Sequence, residues 1–167
     1  GGEPLLQPEF IKELFKKCRE NNIHTAIDTS GYIFTNRVKE VLKYTDLVIL
    51  DIKHINPNKY KELTDVNLEN TLEFAKYLNE IGKKTWVRYV LVPGYSDDEE
   101  DLNKWAKFVS QFSNVERVDI LPFHQMGGYK WEEVGKEYKL KETPTPTKES
   151  LQKTEEIFSS YGLNIGI

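Results

Sequence analysis

Polar residues collect at the ends of the apolar segments of this 167-residue chain. In parallel α/β folds the loops that follow the strands converge at one end of the sheet, so residues of this kind can meet there. The sequence therefore predicts a polar site built from strand exits. The groups are residues 28–31, 51–54, 93–97 with Arg88, and 121–124, together with residues 1–4 ahead of the first predicted helix.

Two aspartates stand out among these groups. Asp28 and Asp51 each follow an apolar run, so each carboxylate should lie at the rim of the core, where an unpaired charge is costly. Either aspartate could have a structural role, as the cap of a following helix or as a partner of Lys53 or Arg88. For each aspartate taken alone, this structural role is as well supported as a ligand-binding role. Together with Glu3 they could bind an ammonium group or a small cation.

Lys53 and His124 are the other polar candidates. Lys53 is two residues after Asp51, so both side chains should point to the same side of an extended segment. Such an Asp-x-Lys pair can orient the carboxylate and hydroxyl groups of a ligand, although a solvated surface pair is the commoner explanation. The His124 imidazole could bind a ribose, act as an acid or base, or satisfy a loop carbonyl.

The remaining histidines and the one cysteine indicate little chemistry. We expect His24 and His54 to be structural or exposed, and the spacing of the three histidines does not indicate a zinc site. Cys18 is predicted to lie on a helix face as a small hydrophobe. The glycine-rich fingerprints of Rossmann and P-loop nucleotide sites do not occur.

Strand and helix signals alternate along the chain, which predicts an α/β fold with a mostly parallel sheet, its strands covered on both faces. One helix should start at Pro8, and capping boxes at Asn70 and Ser96 predict two more starts. The sheet is either open or an arc of a barrel whose first strands are missing. The five predicted strands are 24–29, 46–51, 85–92, 115–121 and, more weakly, 163–165.

Length and composition bound the class of protein. The chain fits a single domain over residues 1–167. Its net charge of −4 comes from mixed acidic and basic residues, so we expect no nucleic-acid partner. With neither a long apolar run nor a signal-peptide pattern, we expect no membrane partner and a cytoplasmic location.

In order and at these spacings, seven segments together resemble the activating enzymes of glycyl radical enzymes, and among these the activases of pyruvate formate-lyase. The resemblance covers essentially the whole chain and implies a partial (β/α)6 radical S-adenosylmethionine barrel that lacks its first strand or strands. The segments are Gly1-Gly2-Glu3-Pro4 and residues 24–31, 46–53, 71–78, 86–98, 121–124, and 130–131 with 135–140.

The resemblance implies an oxidoreductase that uses S-adenosylmethionine and a 4Fe-4S cluster. In this family the cluster reductively cleaves the cofactor, and the resulting radical takes a hydrogen atom from a glycine loop of the partner enzyme, here pyruvate formate-lyase. Reduced flavodoxin or ferredoxin would be the electron donor. The hard chemistry belongs to the cofactors.

Residue by residue, the resemblance implies two sets of contacts to the cofactor. Glu3, with the backbone of Gly1 and Gly2, would meet its amino end. His124 would lie on the ribose and adenine side, and Arg88 would be the catalytic residue beside the cofactor and the incoming glycine loop.

The second set surrounds the methionine carboxylate and a monovalent cation. Asp28, Thr29 and Lys53 would contact the cofactor. Asp28, Thr29 and Asp51 would bind the cation, together with the backbone carbonyl of Ile49.

One departure from the family pattern is large. The family holds its cluster with three cysteines in a Cys-x-x-x-Cys-x-x-Cys loop ahead of the Gly-Gly-Glu motif, and this chain has one cysteine, beyond that motif. We therefore expect a C-terminal part of an activase that is inactive alone. Two alternatives stay open: an activase of another glycyl radical enzyme, and a non-catalytic binding module.

Overall fold

Four parallel strands form the sheet in the computed structural model, which describes residues 2–166 except for the side chain of Glu132. Each strand pairs with the next one in the chain, in the order β1-β2-β3-β4. The α/β class and the first four predicted strands are confirmed. The fifth is reduced to a single parallel bridge between Ile165 and Val118. The strands are β1 (Ala26–Thr29), β2 (Leu47–Asp51), β3 (Thr85–Leu91) and β4 (Val115–Pro122).

Helices connect and flank the strands. Short 3-10 turns span Pro4–Leu6 and Gln125–Gly127. No helix in the described part of the chain is both long and apolar enough to cross a membrane. The helices are α1 (Pro8–Glu20), α2 (Asn36–Leu42), α3 (Pro57–Thr64), α4 (Glu69–Glu80), α5 (Glu99–Val109), α6 (Tyr129–Glu133) and α7 (Lys148–Ser160).

Local sequence explains some helix starts and corrects others. Pro8 begins α1 as predicted. The predicted cap at Ser96 is wrong: Asp98 caps α5 by accepting from the amide of Asp101. The predicted capping box at Asn70 is also wrong, because Asn70 lies inside α4 and its amide donates to the carbonyl of Tyr32. The Ser96 hydroxyl instead bonds to Val92 and Val90 at the end of β3, and the Asn70 amide makes a tertiary bond, so neither side chain caps a helix.

The apolar core lies between one face of the sheet and the helices. Burial alternates strictly along β3, with Val87, Tyr89 and Leu91 buried and the residues between them half-buried. Trp105 of α5 and Phe158 of α7 stack at 4.6 Å and both pack against Tyr89. This alternation is the period-two signature of a strand covered on one side.

The other face of the sheet is open, which differs from the predicted coverage on both faces. The strand register places the half-buried and exposed side chains of the open face in two rows across the sheet. The helices pack on the other face. A sheet covered on one side only is an arc of a barrel rather than a doubly wound sheet. The rows are Asp28, Ile49, Trp86 and Arg117, and Asp51, Arg88 and Asp119.

Candidate functional site

Arg88 joins the two predicted aspartates at the carboxyl end of the open face. Its Nε lies 2.8 Å from Oδ1 of Asp51, which is its register neighbour on β2. Its Nη2 donates to Oδ1 of Asp28 on β1. One guanidinium therefore links three strand ends and pairs both rim carboxylates, which is the pairing with Arg88 that the sequence analysis gave as the alternative to a ligand role for each aspartate alone.

The electrostatics of this group favour the charged form of Arg88. Partial burial acts to lower its pKa, but the hydrogen bonds and charges of Asp51 and Asp28 outweigh burial and raise it. Arg88 and Asp51 are each less than one quarter exposed, whereas the Asp28 side chain is 56% exposed. The group is thus a fixed charge cluster with one side in solvent.

Lys53 lies beside this cluster but does not hydrogen-bond to it. Its Nζ is 3.9 Å from Oδ2 of Asp51, longer than a hydrogen bond, and its side chain is 43% exposed. The ammonium group therefore keeps its donors available to a ligand. Asp51 and Lys53 do point to the same side, which agrees with the predicted alternation.

Glu3 is held by the exit of β1. Its carboxylate accepts from the amide of Leu5, the hydroxyl of Thr29, and both the amide and the hydroxyl of Ser30, at 2.8 to 3.1 Å. Four bonds use the ordinary acceptor capacity of a carboxylate. Glu3 therefore ties the start of the chain to the end of β1. Gly1, the first residue of the motif, lies outside the described residues, and Gly2 has a φ of 95°.

Thr29 lies on the helix side of the sheet, apart from Asp28 and Asp51. Its side chain is buried, and its hydroxyl also accepts from the amide of Gly31. Only its main chain could take part in a site on the open face. Ile49, in contrast, lies directly beside Asp28 in the strand register.

His124 follows β4 at the same end of the sheet. It precedes the turn at Gln125–Gly127, is exposed, and makes no side-chain hydrogen bond among the described residues. The structure therefore brings Asp28, Asp51, Arg88 and Lys53 together and leaves His124 unconnected to them.

A buried chain of hydrogen bonds that the sequence analysis missed supports the β1 exit. The hydroxyl of Tyr60 donates to that of Thr71, which donates in turn to the carbonyl of Ser30. Tyr60 is on α3 and Thr71 is on α4, so both helices hold the loop that carries the Glu3 contacts. No local pattern marks Tyr60 or Thr71, since their partners are 11 and 41 residues away.

Trp86 and Arg117 on the open face were missed too, although a signal existed. The period-two alternation of β3 places Trp86 and Arg88 on one face. The guanidinium of Arg117 lies over the Trp86 ring at 4.7 Å and also pairs with Asp119. The open face is therefore polar across all four strands.

Comparison with known proteins identifies the family. Residues 1–106 match the model of the radical SAM superfamily. The chain is 41% identical over 164 residues to pyruvate formate-lyase 1-activating enzyme of Escherichia coli K12, covering 97% of this chain and 67% of that protein. The chain belongs to the pyruvate formate-lyase-activating enzymes of the radical SAM superfamily.

Two further relatives agree with this assignment. Pyruvate formate-lyase-activating enzyme of Staphylococcus aureus USA300 is 42% identical over 158 residues, covering 91% of this chain and 63% of that protein. A crystal structure of a domain of pyruvate-formate lyase-activating enzyme from Bacteroides vulgatus superposes with a TM-score of 0.84 at 28% identity, covering 100% of this chain and 94% of that one. The chain thus spans about two thirds of the length of the two curated relatives.

The family implies S-adenosylmethionine and a 4Fe-4S cluster, and the residues fit the first of these. The carboxylate of the cofactor's methionine needs cationic hydrogen-bond donors, and its amine needs acceptors. On the open face, Lys53 is such a donor and Asp51 is such an acceptor. The residues do not fit the cluster. The single cysteine, Cys18, is half-buried on α1, and the cluster takes three thiolates in this family.

Proposed function

We propose that these residues form the cofactor-holding wall of an activase that generates a glycyl radical on pyruvate formate-lyase. The observation that carries the proposal is the Arg88 bridge between Asp28 and Asp51, at the carboxyl end of an open polar sheet face. Asp28, at 56% exposure, and Lys53, at 43%, flank the Arg88–Asp51 pair, so a ligand can reach the cluster from solvent. This location is where parallel α/β folds place ligands.

The chain's own residues would orient the cofactor. When bound, S-adenosylmethionine and the cluster supply the radical chemistry that removes a hydrogen atom from the partner's glycine. Lys53 would donate to the methionine carboxylate, with Asp28 and the Thr29 main chain beside it. Arg88, held by its two aspartates, would line the passage used by the glycine loop, and His124 would approach the ribose. Glu3 would hold the backbone of Gly2 in place to meet the amine.

We also propose a monovalent cation beside Asp28 and Asp51. Arg88 uses Oδ1 of each carboxylate, so the second oxygens stay available. The backbone carbonyl of Ile49 and the main chain of Thr29 would complete the oxygen ligands, which suit hard cations. A chemical-shift titration with potassium chloride against choline chloride checks this: changes at Asp28 and Asp51 with potassium alone are expected, and identical changes with both salts contradict it.

The partner, the electron donor and the location follow from the same proposal. Pyruvate formate-lyase would supply the glycine loop, reduced flavodoxin or ferredoxin the electron, and the cytoplasm the setting.

Ligand titration followed by nuclear magnetic resonance tests the proposed site. With the ¹⁵N-labelled chain and S-adenosylmethionine, we expect shift changes at the exits of β1, β2 and β3 and weak binding, with a dissociation constant of about 1 mM or more. Asp51→Ala should abolish these changes. Asp46→Ala is the matched control, because Asp46 lies at the opposite end of β2. Changes elsewhere, or none at saturating ligand, contradict the proposal.

Iron and sulfide reconstitution tests whether this chain alone can bind a 4Fe-4S cluster. We expect no visible iron–sulfur absorbance on this chain, because one cysteine cannot supply the family's three thiolates. Stoichiometric 4Fe-4S on the chain would contradict that statement. Micromolar affinity for S-adenosylmethionine without iron would contradict the role assigned to the cluster in binding it.

A further inference from the structure

The segment that carries Asp51 and Lys53 has an inner side as well as an outer one. Asp51 and Lys53 point toward the open face, and the residues that alternate with them, Ile52 and His54, are completely buried. Side chains of an extended segment alternate, so whatever holds the inner pair also decides where the outer pair points. His54 is a polar member of that inner pair and has no part in the site described above.

The contacts of His54 define its chemical form. Its Nδ1 accepts the amide hydrogen of Asn56 at 3.0 Å, so Nδ1 carries no proton in this arrangement. The neutral ring therefore has its hydrogen on Nε2. That atom is fully buried and has no hydrogen-bond partner within the described residues. The nearest acidic oxygen, Oδ2 of Asp101, lies 3.8 Å away.

The surroundings of His54 keep the ring neutral. Burial lowers its pKa, and the nearby charge of Lys59 on α3 acts in the same direction. Asp101 and Asp98 on α5 and the carbonyl of Tyr95 in the loop after β3 oppose this effect. Burial prevails, since Lys59 also takes up the Asp101 carboxylate in an ion pair of 2.6 Å.

Helix α5 reaches the same segment at a second point. The indole Nε1 of Trp105 donates to the carbonyl of Ile52 at 2.9 Å. Trp105 is one turn after Asp101 on α5, so one helix approaches both inner residues. The loop after β3 is fixed beside them, because Tyr89 donates its hydroxyl hydrogen to the carbonyl of Ser96 at 2.6 Å.

We propose that His54, as the neutral Nε2–H tautomer, is a positioning residue that holds the exit of β2 so that Lys53 stands beside Asp51 on the open face. It acts through Lys53 and does not touch the ligand. The inference rests on the proposed function only where it gives Lys53 a ligand to bind. The two parts of the test below separate these claims.

The first part needs no ligand. In ¹⁵N spectra of the wild-type chain we expect the two ring nitrogens of His54 to show the Nε2–H pattern and not to titrate between pH 8 and pH 6. His54→Leu should raise hydrogen exchange at least about tenfold at the amides of residues 52–56. His54→Asn should restore much of the protection, because its amide oxygen stands where Nδ1 does.

Thr154→Ala is the matched control for this part. It removes one buried hydrogen bond in α7, from the Thr154 hydroxyl to the carbonyl of Ser150. We expect faster exchange near residue 154 and unchanged exchange at residues 52–56. A protonated or Nδ1–H ring, or a His54→Leu effect spread evenly over the chain, would overturn the proposal.

The second part is a double-mutant cycle on S-adenosylmethionine binding, followed by chemical shifts at Arg88. His54→Leu should weaken binding about tenfold in the wild-type background and leave it unchanged when Lys53→Ala is already present. Equal weakening in both backgrounds would show a general structural role and overturn the positioning claim. If the wild-type chain binds no ligand, the proposed function fails, and the first part alone decides whether His54 fixes the segment.

Discussion

At the scale of single residues, Arg88 is the group on which the open face depends. Its planar guanidinium can donate to two carboxylates at once, which an ammonium group on a flexible stem cannot reproduce. Because Asp51 is mostly buried, removal of its partner leaves a poorly solvated charge.

Arg88→Lys should therefore destabilise the protein although charge is conserved. We expect a loss of about 1 kcal/mol in the free energy of unfolding, since the pair is partly exposed and screened. Urea denaturation measures it. Arg37→Lys is the control, because Arg37 is exposed and makes no side-chain hydrogen bond among the described residues, and it should change the midpoint little.

Gly31 is required by both space and backbone conformation. Its φ is 68°, and a Cβ atom there would lie 2.7 Å from Cδ1 of Phe74 and 2.9 Å from Cδ1 of Leu50. Gly31→Ala should cost at least about 2 kcal/mol of stability. Gly162→Ala shares the positive φ but meets no atom within 4 Å, so it should cost about 1 kcal/mol. If both variants lost equal stability in thermal unfolding, the predicted steric clash at Gly31 would be contradicted.

Asp46 gives a pH dependence with a defined sign. The amide of Thr25, and then its hydroxyl, donate to the Asp46 carboxylate and lower its pKa, although burial opposes them. A pKa lowered in the folded state stabilises the protein above the unfolded value, about 3.9, and this contribution is lost as the pH falls through the folded value. Asp46→Asn should thus destabilise at pH 7, and its difference from wild type should shrink as the pH falls below the unfolded value of about 3.9. A constant difference in urea midpoint would contradict this.

At the scale of elements, α5 does more than cover the sheet. Its first turn carries Asp98 as cap and Asp101 as the partner of Lys59, and its middle places Trp105 against the β2 exit. The loop between β3 and α5 is held from inside by Ser96, whose hydroxyl accepts from the amide of Val92 and donates to the carbonyl of Val90. Strand exit and helix start are therefore fixed together.

Ser96→Ala should accordingly destabilise more than Asp98→Ala. Loss of the Ser96 hydroxyl leaves the amide of the buried Val92 and the carbonyl of the half-buried Val90 without this partner, which costs about 1–3 kcal/mol. Loss of the Asp98 cap exposes helix amides that water can satisfy. Urea unfolding of both variants checks the order. If Asp98→Ala were the more damaging change, the inner role of Ser96 would be contradicted.

At the scale of the whole molecule, the sheet has one covered face, one open face and an edge at β1. Within residues 2–166, the far side of β1 pairs with no strand. Phe10 and Leu14 are exposed on one face of α1, four residues apart, and Leu6 is exposed in the preceding 3-10 turn, which contacts β1. These three residues form an apolar line at this end of the chain. An unpaired edge next to exposed apolar side chains favours association.

We therefore expect the chain to self-associate as its concentration rises. Phe10→Lys should reduce association, because it places a charge in the middle of the apolar line. Sedimentation velocity measures the effect. Ile81→Lys is the control, since Ile81 is also exposed but lies at the end of α4. An equal reduction by both variants would show that added charge alone is responsible.

The amino-acid sequence by itself determined the class of fold and the positions of the candidate residues. Strand exits follow from apolar runs that end in polar residues, and these are local signals, so Asp28, Asp51, Lys53 and Arg88 were all identified. The ordered motifs also determined the family, because many matches at fixed spacings are specific together. Helix starts were less predictable, since Ser96 bonds back to the end of β3 and Asn70 bonds to the distant Tyr32, so neither side chain serves as the predicted cap.

Only the tertiary structure decided which residues share a face and which support them. The side of the sheet that the helices cover depends on how each crossover packs. An apolar run such as residues 47–50 is compatible with a strand covered on one face and with a strand covered on both. The structure placed Asp51 beside Arg88 on the open face and moved the Thr29 hydroxyl to the helix side. It also buried His54 against Asp101, 47 residues along the chain, a contact that no local pattern encodes.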